Sequence, residues 1–135
     1  MTEEESDLFS NSLTRCVSKP EFLERFYKLF LNSSDEVREK FKNTDWQKQQ
    51  RMLKASFHML MLSADALPEG QTHLERIAVR HSHADLDITP DMYELWIVAL
   101  ILAVSEYDPK FSDETERVWR LVMNRGITYM KEHYK

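Results

Sequence analysis

The sequence has very little glycine and proline. Its 135 residues include two glycines and four prolines, whereas an average domain of this length carries roughly sixteen of the two together. β-Hairpins and phosphate-binding loops rely on glycine for backbone conformations with positive φ. This scarcity argues against a β-sandwich, a β-barrel and a glycine-rich phosphate loop, and we expect an all-α protein.

Cysteine, long apolar runs and excess positive charge are also missing. The lone Cys16 excludes an internal disulfide and suits a reducing cytoplasm. The longest apolar run, Leu95–Val104, is about half of a membrane-spanning helix, and the acidic start MTEEES is unlike a signal peptide. A net charge of −5 gives no sign of a nucleic-acid-binding surface. We therefore expect one cytoplasmic domain over residues 1–135, with no membrane or nucleic acid as partner.

What the sequence does contain is a series of helix signals. Hydrophobic periodicity predicts seven helices, with a short first helix, over roughly residues 3–16, 20–32, 34–41, 45–63, 72–83, 90–107 and 112–133. A Ser or Thr followed three residues later by Glu or Gln predicts capping boxes at Thr2, Ser18, Ser33, Thr44 and Thr72. Thr89 before Pro90, and Ser112 before two acidic residues, predict two further helix starts. The segment Pro68–Gly70 predicts the clearest break between helices.

Three predicted helices carry a polar residue on the face that should pack into the core. Tyr27 interrupts the apolar face of the second helix, Gln49 that of the fourth and His81 that of the fifth. Taken singly, each is more often an ordinary core or edge residue than a ligand-binding one. Because a buried polar side chain needs a partner, the three residues either bond to one another or surround something.

The histidine spacing limits the kinds of metal site. None of the five histidines has a glutamate three residues before it, and no two are four residues apart, so the motifs of di-iron bundles and zinc proteases are absent. His81 and His83 point in different directions on a helix and cannot grip one ion. A metal would therefore have one histidine ligand from the chain, which is typical of haem because the porphyrin supplies four nitrogens itself.

Four segments resemble the bacterial haemoglobins and the haem domains of flavohaemoglobins. FLERFYKLF and VREKF resemble their second and third helices, LERIAVRH resembles the helix that carries the proximal histidine, and ITPDMYELW resembles the start of the next helix. The resemblance runs from about Phe22 to Trp119. It implies a globin fold of six to seven helices around a haem pocket, and a bacterial single-domain globin.

The resemblance also implies roles for particular residues. His81 matches the proximal ligand of a five-coordinate haem b iron, and Tyr27 and Gln49 match distal hydrogen-bond donors that stabilise the negative charge on bound O₂. Arg80 is suited to a haem propionate because a guanidinium pairs well with a carboxylate. The other residues predicted to contact the cofactor are Phe41, Leu53, Leu74, Ile77 and Tyr93.

The sequence departs from the flavohaemoglobin pattern at three points. The segment after His81 is two residues longer, which leaves His83 as the alternative proximal ligand. The segment between Phe41 and Gln49 is two residues shorter, which leaves Gln50 as the alternative distal amide. Flavohaemoglobins also carry a glutamate in the last helix that polarises the proximal histidine, and here the aligned position falls near Tyr134 with Glu132 two residues away.

Four functions are compatible with these features. The first is the binding or transport of O₂, with NO and CO as further ligands. The second is nitric oxide dioxygenation with electrons from a separate reductase protein, since the sequence contains no reductase domain. The third is a haem-based gas sensor, and the fourth is a haem-free helical adaptor. O₂ binding is the primary prediction because gas binding is part of each of the three functions that use haem.

Overall fold

The computed structural model describes residues 1–64, 68–81 and 88–134, without the side chains at 63, 64 and 79. These residues form seven α-helices and no strand, which confirms the all-α prediction. The helices are α1 (Glu3–Val17), α2 (Glu21–Leu31), α3 (Asp35–Lys40), α4 (Trp46–Ala64), α5 (Pro68–His81), α6 (Pro90–Tyr107) and α7 (Asp113–Glu132). Within the described ranges, no helix has the length and apolar character needed to cross a membrane.

The first and last helices begin as the sequence predicts. At α1 the hydroxyl of Thr2 accepts a hydrogen bond from the backbone N–H of Glu5, and the Glu5 carboxylate accepts one from the N–H of Thr2 at 2.8 Å. The hydrogen bond from the backbone of Thr2 and a second hydrogen bond from the side chain of Arg117 lower the pKa of Glu5 to about 2. At α7 the hydroxyl of Ser112 accepts from the N–H of Thr115. At each of these two termini a side chain therefore accepts from a backbone N–H that has no partner within the helix.

Two predicted caps are wrong by one residue. The cap of α3 is Ser34 rather than Ser33, and its hydroxyl accepts from the N–H of Val37 at 3.1 Å. At the start of α4 the cap is Asp45 rather than Thr44, and its carboxylate accepts from the backbone N–H three residues on at 3.3 Å. Adjacent Ser, Thr and Asp residues are all good caps, so spacing alone does not choose between neighbours.

Two other predicted helix starts are also wrong. The hydroxyl of Ser18 donates to the carbonyl of Arg15 at the end of α1 and does not cap α2. The predicted break at Pro68–Gly70 is instead the first turn of α5, where proline is tolerated because the first N–H groups of a helix have no intrahelical partner. The hydroxyl of Thr72 bonds back to the carbonyl of Pro68 at 3.0 Å rather than capping a helix.

The core forms where α4 packs against α5 and α7, and where α2 packs along α6. Trp119 of α7 is fully buried near its centre. The rings of Phe9 and Phe57 meet it edge-on, with centroid distances of 4.8 and 5.6 Å. These contacts join α1 and α4 to the same side chain, so α7 is the central element of the packing.

A buried polar network ties α1 to the end of α6 and to Trp119 of α7. The Asp108 carboxylate, at the end of α6, accepts hydrogen bonds from Ser12 at 2.7 Å and from Arg15 at 2.6 and 2.9 Å. Ser12 in turn accepts from the indole N–H of Trp119 at 2.8 Å. Burial alone would raise the pKa of Asp108, but these hydrogen bonds and the one from the N–H of Lys110 outweigh it and lower the pKa. The carboxylate is therefore buried in its charged form with partners for both oxygens.

Candidate functional site

A cavity lies between α2, α4, α5, α6 and α7. It holds about 980 Å³ of space unfilled by protein atoms, counting the solvent at its mouth. Most of the described lining is apolar, from side chains such as Phe30, Leu60, Met92 and Ile127. The lining residues with hydroxyl, amide or imidazole groups are Tyr27, Gln49, Ser56, His81 and Tyr93. An apolar cavity with a few polar groups is typical of a site that orients a large, flat or apolar ligand.

Tyr27 and Gln49 form a polar pair in the wall of this cavity. Tyr27 is only 4% exposed, and its ring packs against Phe41 and, edge-on at 5.0 Å, against Trp46. Burial raises the pKa of the Tyr27 hydroxyl, and a hydrogen bond with the side chain of Gln49 offsets only part of that shift. The hydroxyl therefore keeps its proton at neutral pH and can act as a hydrogen-bond donor.

His81 lies at the C-terminal end of α5, where it forms a second cluster of polar atoms in the cavity lining with Tyr93 and Met130. Its Nδ1 is 3.2 Å from the sulfur of Met130 and 3.4 Å from the hydroxyl of Tyr93. The Tyr93 hydroxyl also donates to the Met130 sulfur at 3.5 Å. Burial raises the pKa of Tyr93 to about 12, so this phenol is protonated at neutral pH.

Seven of the nine predicted site residues line the same cavity. These seven are Tyr27, Phe41, Gln49, Leu53, Ile77, His81 and Tyr93. Leu74 is fully buried on α5 and Arg80 is exposed near its end. Neither is among the described lining residues, and their roles toward a cofactor stay predictions.

The structure separates the two candidate distal amides. Gln49 lines the cavity, whereas Gln50 lines an outer groove together with Tyr27 and Trp46. His83, the alternative proximal ligand, lies outside the described residues. The sulfur of Met130 on α7 lies beside the Nδ1 atom of His81, whereas Glu132, the glutamate nearest to the position aligned with the flavohaemoglobin glutamate, is exposed.

Met130 is a lining residue that the sequence did not single out. It lies 49 residues from His81, and a methionine on an apolar helix face normally indicates core packing. The signal that could have found it is the stripe of Met123, Gly126, Ile127 and Met130, which follows helical spacing along α7 and lines the cavity.

The donor chemistry fits a haem. Among the described residues there is no group of three or more His, Cys, Asp or Glu side chains that could hold a bare metal ion. The cavity instead offers the imidazole of His81 within an apolar lining. A haem needs such a site because the porphyrin supplies four iron ligands and requires an apolar surface against its faces.

Comparison with known proteins agrees with this chemistry. The globin family profile matches residues 24–130. The chain belongs to the globin family. The crystal structure of PA3967 from Pseudomonas aeruginosa PAO1, described as structurally highly homologous to a human haemoglobin, matches with a TM-score of 0.91 and 38% sequence identity, over 96% of this chain and 98% of that one. A search among curated proteins gives no significant match.

Family membership gives the cavity its general role. Globins bind haem and, through it, diatomic gases, so this globin is a haem-based gas-binding protein. The match to the family spans α2 to α7, which include the helices that surround the cavity. Of the seven described helices, α1 alone lies outside it.

Proposed function

We propose that this globin reversibly binds O₂ at a haem b group, with His81 as the iron ligand and with Tyr27 and Gln49 as hydrogen-bond donors to the gas. The observation that carries the proposal is that the imidazole of His81 and the polar side chains of Tyr27 and Gln49 line the same apolar cavity. The ferrous iron would supply the gas-binding site and give electron density to O₂. The protein would supply everything that holds, orients and stabilises the ligand.

The role of His81 follows from its position and its neighbours. It ends α5, where Ile77 one turn earlier also lines the cavity. A ring nitrogen binds iron only through a lone pair, so the other nitrogen must carry the proton. The sulfur and the hydroxyl beside Nδ1 can hold the ring in that state and orientation.

The role of Tyr27 and Gln49 is to favour a ligand that carries negative charge. A protonated phenol and an amide are hydrogen-bond donors, and a hydrogen bond to a charged acceptor is worth about 1.5–3 kcal/mol. O₂ at ferrous haem carries partial negative charge, whereas CO carries much less. The pair should therefore hold O₂ more strongly than an apolar cavity of the same shape would.

Arg80 and Leu74 would support the cofactor from α5. The exposed Arg80 guanidinium directly precedes His81 and suits the carboxylate of a propionate. Leu74 would act from behind the lining, against the wall near Gly126. O₂ binding needs only the iron and the side chains of this site, whereas nitric oxide dioxygenation also needs a reductase partner. O₂ binding is therefore the function we propose.

The test is the absorption spectrum of the purified protein after haem addition. We expect a sharp Soret band that shifts when CO is added to the ferrous form. His81→Ala should abolish stable haem uptake or leave a site that added imidazole restores. His58→Ala is the matched control, because His58 is an exposed histidine of α4 outside the cavity lining.

Two outcomes would contradict the proposal. Absence of a Soret band, even with haem supplied during expression, would mean that the protein does not bind haem. Loss of the band in His83→Ala, with His81→Ala unaffected, would transfer the iron-ligand role to His83.

A further inference from the structure

Among the described residues, two groups lie within hydrogen-bond distance of the Nδ1 atom of His81. The thioether sulfur of Met130 lies 3.2 Å from it, and the hydroxyl of Tyr93 lies 3.4 Å from it. The same hydroxyl is 3.5 Å from the sulfur. The three polar atoms thus form a closed triangle between α5, α6 and α7, with Met130 only 8% exposed.

The chemistry of the two neighbours differs in one decisive respect. A thioether has no proton to give and is only an acceptor. Any hydrogen bond between Met130 and Nδ1 therefore has the ring nitrogen as donor. A phenol can donate as well as accept, so Tyr93 could instead donate to an unprotonated Nδ1.

These alternatives correspond to opposite tautomers of His81. When Nδ1 carries the proton and donates to Met130, Nε2 keeps its lone pair and can bind iron. When Tyr93 donates to Nδ1, the proton of the neutral ring is on Nε2 and the iron-binding lone pair is lost. With Met130 present, the Tyr93 proton has an acceptor of its own in the sulfur, so both hydrogen bonds can form together.

We propose that Met130 is a positioning residue that selects the iron-binding tautomer of His81, by accepting the Nδ1 proton and the Tyr93 proton on one sulfur. The inference rests on the proposed role of His81. The sulfur of Met130 on α7 is then a neutral and weak hydrogen-bond acceptor for the Nδ1 atom of His81. A carboxylate at this place would make the imidazole a stronger electron donor, so the thioether favours the ferrous state that binds O₂.

The first experiment needs no cofactor. Imidazole ¹⁵N shifts of the haem-free protein, assigned with His81→Gln, report which ring nitrogen carries the proton. We expect Nδ1–H in the wild type and a shift toward Nε2–H in Met130→Leu, which keeps an apolar side chain but removes the acceptor. Met123→Leu is the matched control, because Met123 is a buried methionine of the same helix and cavity. Wild-type protein with the proton on Nε2 would overturn the proposal without reference to any variant.

The second experiment uses the haem-loaded protein. Loss of an outer partner of a metal-bound histidine typically weakens metal binding by 10–100-fold. Because Tyr93 can still accept from Nδ1, we expect haem dissociation from Met130→Leu to be about tenfold faster, near the lower limit of that range. The iron–histidine Raman band should move to lower frequency, and Met130→Glu should move the band up and the midpoint potential down.

The outcomes separate this inference from the proposed function. A wild-type protein that takes up haem but shows no iron–histidine band dependent on His81 would contradict the proposed function. A wild-type band that stays unchanged in Met130→Leu, as in Met123→Leu, would leave the function intact and overturn the role of Met130. Circular dichroism of each variant checks that the helices are formed.

Discussion

Replacing Tyr27 by phenylalanine removes one oxygen from the cavity wall and leaves the ring in place. The ring of Tyr27 packs against Phe41 and Trp46 through contacts that phenylalanine can also make. The side chain is 4% exposed, and the side chain of Gln49 interacts with its hydroxyl. The substitution therefore changes a hydrogen bond and very little packing.

The size of the effect follows from what Gln49 can do alone. Losing a charge-assisted hydrogen bond costs about 1.5–3 kcal/mol. Because Gln49 can still donate to O₂ in the variant, the net loss should be in the lower half of that range. At 1.36 kcal/mol for each factor of ten, O₂ dissociation should become roughly 10–45-fold faster. CO dissociation should change much less, because CO draws little negative charge.

Stopped-flow dissociation of O₂ and CO from wild type and Tyr27→Phe measures both effects. Tyr129→Phe is the control, because Tyr129 is a tyrosine of α7 outside the cavity lining. The double variant with Gln49→Leu, compared with the two single variants, measures the coupling between the two side chains, which should be non-zero because they interact.

Two results would refute this reasoning. Equal acceleration of O₂ and CO would mean that the Tyr27 side chain acts as a steric barrier and not as a hydrogen-bond donor. Unchanged rates for both gases would mean that the hydroxyl does not reach the ligand.

Three further predictions concern the fold. In Gly126→Ala the new Cβ would overlap a methyl group of Leu60 and push it into the cavity, so haem affinity should fall. The gain of about 1 kcal/mol in helix propensity should offset the cost of this overlap to the haem-free protein. The melting temperature of the haem-free protein should therefore hardly change. Asp108→Ala should lower the free energy of unfolding by about 3 kcal/mol, near the lower limit for a broken buried pair because Arg15 is 24% exposed. Since the pKa of Asp108 is lowered, its contribution should be complete above the ordinary value of 3.8 and be lost as the pH falls below it, so urea titrations of wild type and variant should converge in acid. Burial raises the pKa of the Cys16 thiol to about 12, so a thiol reagent should modify it only after unfolding; rapid labelling of native protein would contradict its burial.

The helices could be predicted from the sequence because their signals are local. Apolar residues at helical spacing identify an amphipathic helix wherever it lies in the chain. The errors came at termini where two signals compete. Ser33 and Ser34 are both suitable caps. A proline such as Pro68 can end a helix or occupy its first turn, and tertiary packing decides between the two.

The site could be predicted only in part. Tyr27, Gln49 and His81 stand out because each places a polar group on an apolar face. Met130 does not stand out, because a thioether among apolar residues has the same pattern as core packing. Its distance to His81 depends on how α5 and α7 cross, which no local spacing encodes.

The first helix has a consequence for the protein before it meets its cofactor. Among the described lining residues none comes from α1, whose Phe9 and Ser12 are instead held by Trp119 on α7. Emptying the cavity removes no contact from this junction, whereas the lining side chains of α4, α5 and the C-terminal half of α7 lose the cofactor surface they would cover. Newly synthesised chains should thus show slow amide hydrogen exchange along α1 and the N-terminal half of α7 from the outset, and cofactor binding should slow exchange mainly in α4, α5 and the C-terminal half of α7. The newly synthesised protein would therefore be only partly ordered, and the ordering of the helices around the cavity would depend on haem binding.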